Sequence, residues 1–323
     1  MNRRDFLTGG SAAVATLPRA ACGQAWPVRN ITLVVPFPPG GTNDIFARAI
    51  ADKLGAALGL PVIIDNRGGA GGTIGSTAVA RAAPDGYTLM MGHIGTLGVN
   101  PSLYPNLAYD TLMSFDYVAG LGLVPNLLVV HPSLPFKTVQ DLIDYARANP
   151  NKLNYATAGS GSAADIAMAA FNVAAKTQMV AVPYRGTAPA LTDLLAGQVQ
   201  LTITGATAVL QHAQAGTLRA LGVTTLKRIR VAPDIPAIAE TLPGFEASQW
   251  YGIVTPAHTP APILKRLEQE IRKIMHTPEV LARLETEGVE LWEVTPEEFR
   301  AHVAKEIPRW KAVVEAAKIN AAQ

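Results

Sequence analysis

Apolar residues recur along this chain in two rhythms, short unbroken runs and stretches with a helical repeat, and the two alternate. The run Ile31–Val35 suits a strand buried on both faces. After it, Ile45, Phe46, Ala49, Ile50 and Leu54 fall at helical spacing, which predicts a helix over 43–58. Further strand runs stand at 62–65, 88–91 and 127–130, with a helix over 73–81 between the first two. A second set follows. Thr138 and Asp141 form a capping box that opens a helix, and strands are predicted at 153–156, 180–182, 199–203 and 218–223. Helices after Ser162, over 188–195 and over 207–215 fall between them. Such alternation implies, in each set, a mostly parallel sheet flanked by helices. The C-terminal third turns helical, over 261–276 and then behind Thr277-Pro278-Glu279 and Thr295-Pro296-Glu297-Glu298. Proline at the first helical position and acids in the first turn each meet a need of a helix N-terminus.

Chemistry is sought where strands run into helices. The stretch Leu33–Asp44 (LVVPFPPGGTND) passes through Phe37, Pro38, Pro39, Gly40, Gly41 and Thr42. The prolines stiffen the turn, the glycines let backbone approach a ligand without a Cβ in the way, and amides at the helix start favour an anion. An ordinary strand-to-helix turn would read the same. The loop NRGGAGGTIG (66–75) fits neither the dinucleotide fingerprint nor the lysine-bearing phosphate loop, which argues against nucleotide binding. GHIGTLGVN (92–100) offers Thr96 as a hydroxyl donor. AGSGS (158–162) places Ser160 and Ser162 at a helix start, although Ser162 with Asp165 also reads as a capping box. In PYRGTAPA (183–190), Tyr184 and Arg185 stand at a strand end, the usual ligand site of open parallel sheets. Arg185 is either a bidentate carboxylate clamp or a salt-bridge partner of Asp193. Enzyme signatures are absent: there is no G-x-S-x-G, no H-E-x-x-H, and the six histidines are scattered. Ser160, His93 and Asp165 could meet as a triad only across lobes, a combination any chain of this size offers. No metal or cofactor is implied.

The N-terminus changes the picture of location. MNRRDFLTGGSAAVATLPRAACGQA has a charged start, a weakly apolar middle and small residues before Trp26, and reads as a signal peptide cleaved after Ala25. Arg3 and Arg4 followed by Asp5, Phe6 and Leu7 resemble the twin-arginine export motif. Lipidation of Cys22 is the lesser alternative. Removing Arg3, Arg4, Arg19 and Asp5 from 27 basic and 25 acidic residues leaves a formally neutral mature chain. Without a basic run, nucleic acid and anionic membrane surfaces are poor partners. Cleavage also removes the single cysteine, so disulfides and thiol catalysis are excluded.

Taken together, WPVRNITLVVPFPPGGTND, VIIDNRGGAGGTIG, PDGYTLMMG, NPSLY, VPYRGTAPALTDLLAGQV, AGTLRALGVT, APDIPAIAE and TPEEF stand in an order and spacing specific to one family. The chain resembles the receptors of tripartite tricarboxylate transporters, the Bug family of periplasmic solute-binding proteins. The resemblance implies an α/β, two-lobe periplasmic binding protein of type II-like architecture, hinged by two crossings, with the ligand in the interlobe cleft. Lobe 1 would comprise 26–126 and 250–323, and lobe 2 127–249. It also implies a non-catalytic periplasmic receptor, taken here as a monomer, that holds a small carboxylate through backbone amides and water and delivers it to a membrane permease. A sensing receptor for a signalling partner and a periplasmic hydrolase are the alternatives. The implied ligand loops are Phe37–Thr42, Gly92–Thr96 (with Gly92, Gly95 and Thr96 as its contact residues), Ala158, Gly159, Ser160, Gly161 and Ser162, and Tyr184, Arg185 and Gly186, with Thr204 added from the second lobe. The chain departs from the family pattern at Leu97, Asp165, Ala169, Gln200 and Thr204. An Asp165 facing the ligand would favour a cationic or neutral distal end over a second carboxylate.

Overall fold

The computed structural model describes residues 26–319, apart from 287. The signal peptide expected over 1–25 lies outside the described residues. In chain order the elements are β1 (Ile31–Val35), α1 (Thr42–Leu58), β2 (Val62–Asn66), α2 (Thr73–Ala80), β3 (Thr88–His93), α3 (Asn100–Leu103) and β4 (Phe115–Val124). The second lobe holds β5 (Asn126–Val130), α4 (Val139–Ala148), β6 (Asn154–Thr157), α5 (Ala163–Ala175), β7 (Val180–Pro183), α6 (Thr187–Leu195), β8 (Leu201–Gly205), α7 (Ala206–Gln214) and β9 (Arg219–Val223). The chain then returns through β10 (Gln249–Pro256), α8 (Ala261–Met275), α9 (Pro278–Thr286), β11 (Glu290–Leu291) and α10 (Pro296–Ala317).

Two sheets result, ordered β11-β4-β10-β3-β1-β2 and β7-β6-β8-β5-β9. Both are mixed. β1, β2 and β3 pair in parallel, as do β6, β7 and β8, whereas β4, β5 and β10 run antiparallel to their neighbours. The antiparallel strands are those that carry the chain between lobes. β4, β10 and β11 have no counterpart among the runs read from sequence, because glycine interrupts the first two and β11 has two residues. Those glycines are required by packing. A Cβ on Gly252 would collide with the Phe299 ring, and one on Gly122 would stand 2.7 Å from Val289 and 3.0 Å from Phe46.

The cores follow from the apolar stripes. Ile31, Leu33 and Val35 of β1 meet Phe46, Ile50 and Leu54 of α1, and α1 ends at Gly59 in the left-handed conformation (φ 79°). In lobe 2, Leu127 and Val129 of β5 pack with Leu194, Val209 and Leu210. A third cluster runs through both lobes, from Val34 and Met90 to Leu128, Phe171 and Trp310. Helix α10 is central to it. Thr295 and Glu298 form its capping box, Phe299, Val303, Trp310 and Val314 make its buried stripe, and it packs on β4, α3 and α5.

The chain crosses from β4 to β5 at Pro125 and returns between β9 and β10. Asn126 ties the two crossings together: its N–H donates to Thr224 Oγ1 (3.0 Å), its carboxamide donates to the Ala247 carbonyl, and its Oδ1 accepts from the Gln249 side chain.

Candidate functional site

The loop ahead of α1 is shaped by a buried carboxylate. Asp44 Oδ2 accepts from Gly40 N–H (3.1 Å) and Arg48 Nε (2.9 Å), and Oδ1 accepts from Asn66 Nδ2 (3.1 Å). Asn66 Nδ2 also donates to the Phe37 carbonyl (3.1 Å), so Asn66 and Asp44, bonded to each other, pin the two ends of the Phe37–Gly40 turn. Burial opposes the charge on Asp44, but the bonds from Arg48, Gly40 and Asn66 outweigh it and hold its pKa below the ordinary value. Gly41 is the N-cap of α1 and supplies no side-chain cap, so no group among the described residues takes the Thr42 and Asn43 amides.

Lobe 2 presents the same arrangement. Ser162 Oγ caps α5 by accepting from Asp165 N–H (3.3 Å), which leaves the Ala163 and Ala164 amides unclaimed. The N-caps of α6 and α7 are Gly186 and Gly205, again without a side-chain cap. These helix starts face α1 across the cleft and the lobes are shut on one another. Thr42 Oγ1 and Thr207 Oγ1 are hydrogen-bonded at 2.8 Å, and a Cβ on Gly95 would sit 2.9 Å from the Gly161 carbonyl.

Between the lobes lie two compartments. An inner chamber of about 40 Å³ is lined by Phe37, Pro38, Gly41, Thr42, Asn43 and His93 from lobe 1. Ala158, Ser162, Ala163, Ala164, Gly186, Thr187 and Thr204 line it from lobe 2, and Gln249 and Tyr251 from β10. It has room for roughly two or three water molecules, or one carboxylate group. An outer vestibule of about 660 Å³ is formed by Pro39, Asn66, the glycines of 68–72, Tyr104, Gly159, Ser160, Tyr184 and Arg185. Phe37, Pro38, Ala158 and Gly186 belong to both and form the neck between them.

The residues expected from sequence therefore divide three ways. Phe37, Pro38, Gly41, Thr42, Ala158, Ser162, Gly186 and Thr204 line the chamber, while Pro39, Gly159, Ser160, Tyr184 and Arg185 line the vestibule. Gly40, Gly92, Gly95, Thr96 and Gly161 line neither. Gly40 N–H is held by Asp44 and Gly161 N–H by Asp165 (3.0 Å). Gly92 lies under Leu97, and Gly95 packs against lobe 2. Thr96 is fully buried, its N–H donating to His93 Nδ1 (3.2 Å) and its hydroxyl to the His93 carbonyl (3.2 Å). Arg185 does not pair with Asp193, which instead accepts from the Tyr184 hydroxyl (2.8 Å). Asp165 is buried against Gly161, with its pKa raised by that burial, and lines neither compartment, so it cannot act on a ligand as an anionic wall. Ser160, His93 and Asp165 do not assemble: His93 Nδ1 is bound to Thr96, and Ser160 stands in the vestibule.

Several lining residues were not foreseen. Asn43, Thr187, Ala163 and Ala164 are first-turn residues just beyond the cap positions, and extending each loop by two residues would have found them. Gln249 and Tyr251 lie on the unforeseen strand β10. His93, inside the expected 92–96 loop though not singled out there, is buried, and loss of hydration pushes its pKa to about 4, so the ring is neutral. The chamber lining thus contains no Asp, Glu, Lys or Arg. Its positive potential comes from the starts of α1, α5 and α6, a geometry that binds anions without a cationic side chain. Among the described residues no cluster of three His, Cys, Asp or Glu could hold a metal ion, and no helix is long and apolar enough to cross a membrane.

Comparison with known proteins agrees with this architecture. The family described as tripartite tricarboxylate transporter family receptor matches residues 46–319. BugT of Bordetella pertussis is 35% identical over 97% of each chain. Rpa4515 of R. palustris, solved with adipate, superposes with a TM-score of 0.88 at 38% identity, covering 91% of this chain and 99% of its own. MatC (Rpa3494) of Rhodopseudomonas palustris, solved with bound malate, gives 0.86 at 36% identity, covering 90% and 100%. This chain belongs to the tripartite tricarboxylate transporter receptors of the Bug family, which are solute-binding receptors and not enzymes.

Proposed function

We propose that this receptor captures a small carboxylate in the interlobe chamber, outside the cytoplasmic membrane after export, and delivers it as a monomer to a membrane permease. The observation that carries the reading is the convergence of uncapped helix starts from both lobes on a chamber lined by no charged side chain. A carboxylate placed there is held by the α1 amides on one side and the α5 and α6 amides on the other. That set of bonds exists only when the lobes are closed, so the ligand drives closure by differential affinity. The adipate and malate carried by two structural relatives support this ligand class. The rest of the ligand passes the neck into the vestibule, where Arg185 has no ion-pair partner among the described residues and stands within reach of a second carboxylate.

Thermal unfolding of the mature protein against mono-, di- and tricarboxylates, aromatic acids and amino acids tests the reading. A ligand at about a hundred times its dissociation constant stabilises by about 2.7 kcal/mol, a readily visible shift. A carboxylate that shifts the transition supports the proposal, and a panel that leaves it unmoved while a non-acidic solute shifts it sinks the proposal.

A further inference from the structure

Asp44 and Asp165 hold matching places in the two lobes. Each is the third residue of its helix, α1 or α5, and each accepts the N–H of the glycine four positions before it, Gly40 at 3.1 Å and Gly161 at 3.0 Å. Neither lines the chamber, but each stands behind a helix start whose first residues do. Their surroundings differ. Asp44 also accepts from Arg48 Nε (2.9 Å) and Asn66 Nδ2 (3.1 Å), so a guanidinium balances its charge. Asp165 is 6% exposed, and Gly161 N–H is its one donor among the described residues. The titratable groups that face it are the hydroxyls of Tyr104, just after α3, and Tyr155, on β6, both neutral. No Lys, Arg or His among the described residues acts on it by charge.

A helix start carries the equivalent of about half a positive charge, which favours one anion and not two. At α5 two would compete for it, the Asp165 carboxylate from behind and a ligand carboxylate on the Ala163 and Ala164 amides in front. Two unit charges about one helical turn apart, roughly 5.4 Å, repel at an effective dielectric of about 20 by enough to weaken binding roughly a hundredfold. Neutralising Asp165 removes that repulsion. We infer that a carboxylate entering the chamber brings a proton onto Asp165, so that capture is proton-coupled and tightens as pH falls; this rests on the carboxylate reading above. The proton comes from solvent and settles on Oδ1, while Oδ2 keeps Gly161 N–H and the loop keeps its shape. Burial already opposes the charge on Asp165 in the empty receptor, and the ligand adds to that opposition. Asp44 stays ionised, because Arg48 and Asn66 hold its charge. His93, in the chamber lining, takes its own proton only near pH 4 and so is silent in the range tested below.

The test is calorimetric titration of the mature protein with malate, adipate and benzoate between about pH 5 and 8, repeated at one pH in two buffers of different ionisation enthalpy so that the heat difference counts protons taken up. Binding is expected to tighten as pH falls, by at most about tenfold per pH unit for one proton, with uptake beyond that of the acid itself. Asp165→Asn keeps an acceptor for Gly161 N–H and carries no charge. It should bind at neutral pH at least tenfold tighter than the unmodified protein and lose the extra proton, the acid's own ionisation cancelling between the two titrations. Asp165→Ala, which removes the bond as well as the charge, should also lose the proton but bind more weakly than Asp165→Asn at every pH. An aspartate that only shaped the loop would give no gain in the asparagine variant. No extra proton taken up by the unmodified protein, or a pH dependence that survives Asp165→Asn, overturns the inference and leaves the carboxylate reading standing. Failure of every acid to bind overturns both.

Discussion

Two buried side chains near the chamber make the protein respond to acid in separate pH windows. For His93 the unfolded imidazole, with an ordinary pKa of 6.5, binds a proton that the folded ring, at about 4, refuses. Between those values acid therefore favours the unfolded chain, and stability falls as pH drops from 6.5 towards 4, by about 3 kcal/mol over the whole window. His93→Asn should flatten that part of a stability-versus-pH curve measured by urea unfolding. Asp44 has the same sign in a lower window. Its folded pKa lies below the ordinary 3.8, so its contribution is complete above that value and is lost as pH falls through the depressed one. Asp44→Ala at neutral pH leaves Gly40 N–H and Arg48 without an acceptor, and should lower stability by about 1–3 kcal/mol while loosening the Phe37–Gly40 turn. Equilibrium unfolding reads the first effect and ligand titration the second.

At the scale of elements, the helix starts and the glycines decide how close the lobes come. Gly186 has φ 117°, and a Cβ on it would meet Pro38 at 3.3 Å across the neck. Gly186→Ala combines backbone strain with that contact and should weaken ligand binding by about tenfold or more, equivalent to about 1–3 kcal/mol, in a titration. The helices and parallel strands around the site were legible because their signals are local: a buried run, a helical repeat, a proline or serine at a helix start. The strands β4 and β10 were not, because their glycines are set by distant rings, Phe299 over Gly252 and Trp292 over Gly120, and no local pattern records a partner far along the chain. The same reason hid part of the chamber lining. Gln249 and Tyr251 enter the site only through the pairing of β10 with β3 and β4. The loop glycines were expected to cradle a ligand, and their division into chamber, vestibule and structural support depends on which amides Asp44 and Asp165 already occupy.

For the whole molecule, closure depends on bonds that span the cleft. The Thr42–Thr207 hydroxyl pair, at 2.8 Å, joins residues 165 positions apart and belongs to opposite lobes. Thr207→Val removes it and should weaken ligand binding by roughly two- to tenfold, the size of one hydrogen bond of about 0.5–1.5 kcal/mol. Unfolding of the ligand-free protein should shift less than binding does. A titration beside a urea melt separates the two. The residues that bond across the lobes and the residues that line the chamber meet at the hinge, where Tyr251 bonds Gln249 and Gln249 bonds Asn126.

The neck of Phe37, Pro38, Ala158 and Gly186 also sets a rule for traffic. A molecule whose head fills a chamber of about 40 Å³ walled by both lobes is expected to leave only when the lobes part. Escape is then a first-order event whose rate is that of the domain motion itself, so a chase with a tenfold excess or a thousandfold excess of competitor should release labelled ligand at one and the same rate. A permease that unloads this receptor faster than that clock must do so by gripping the lobes and prising them apart.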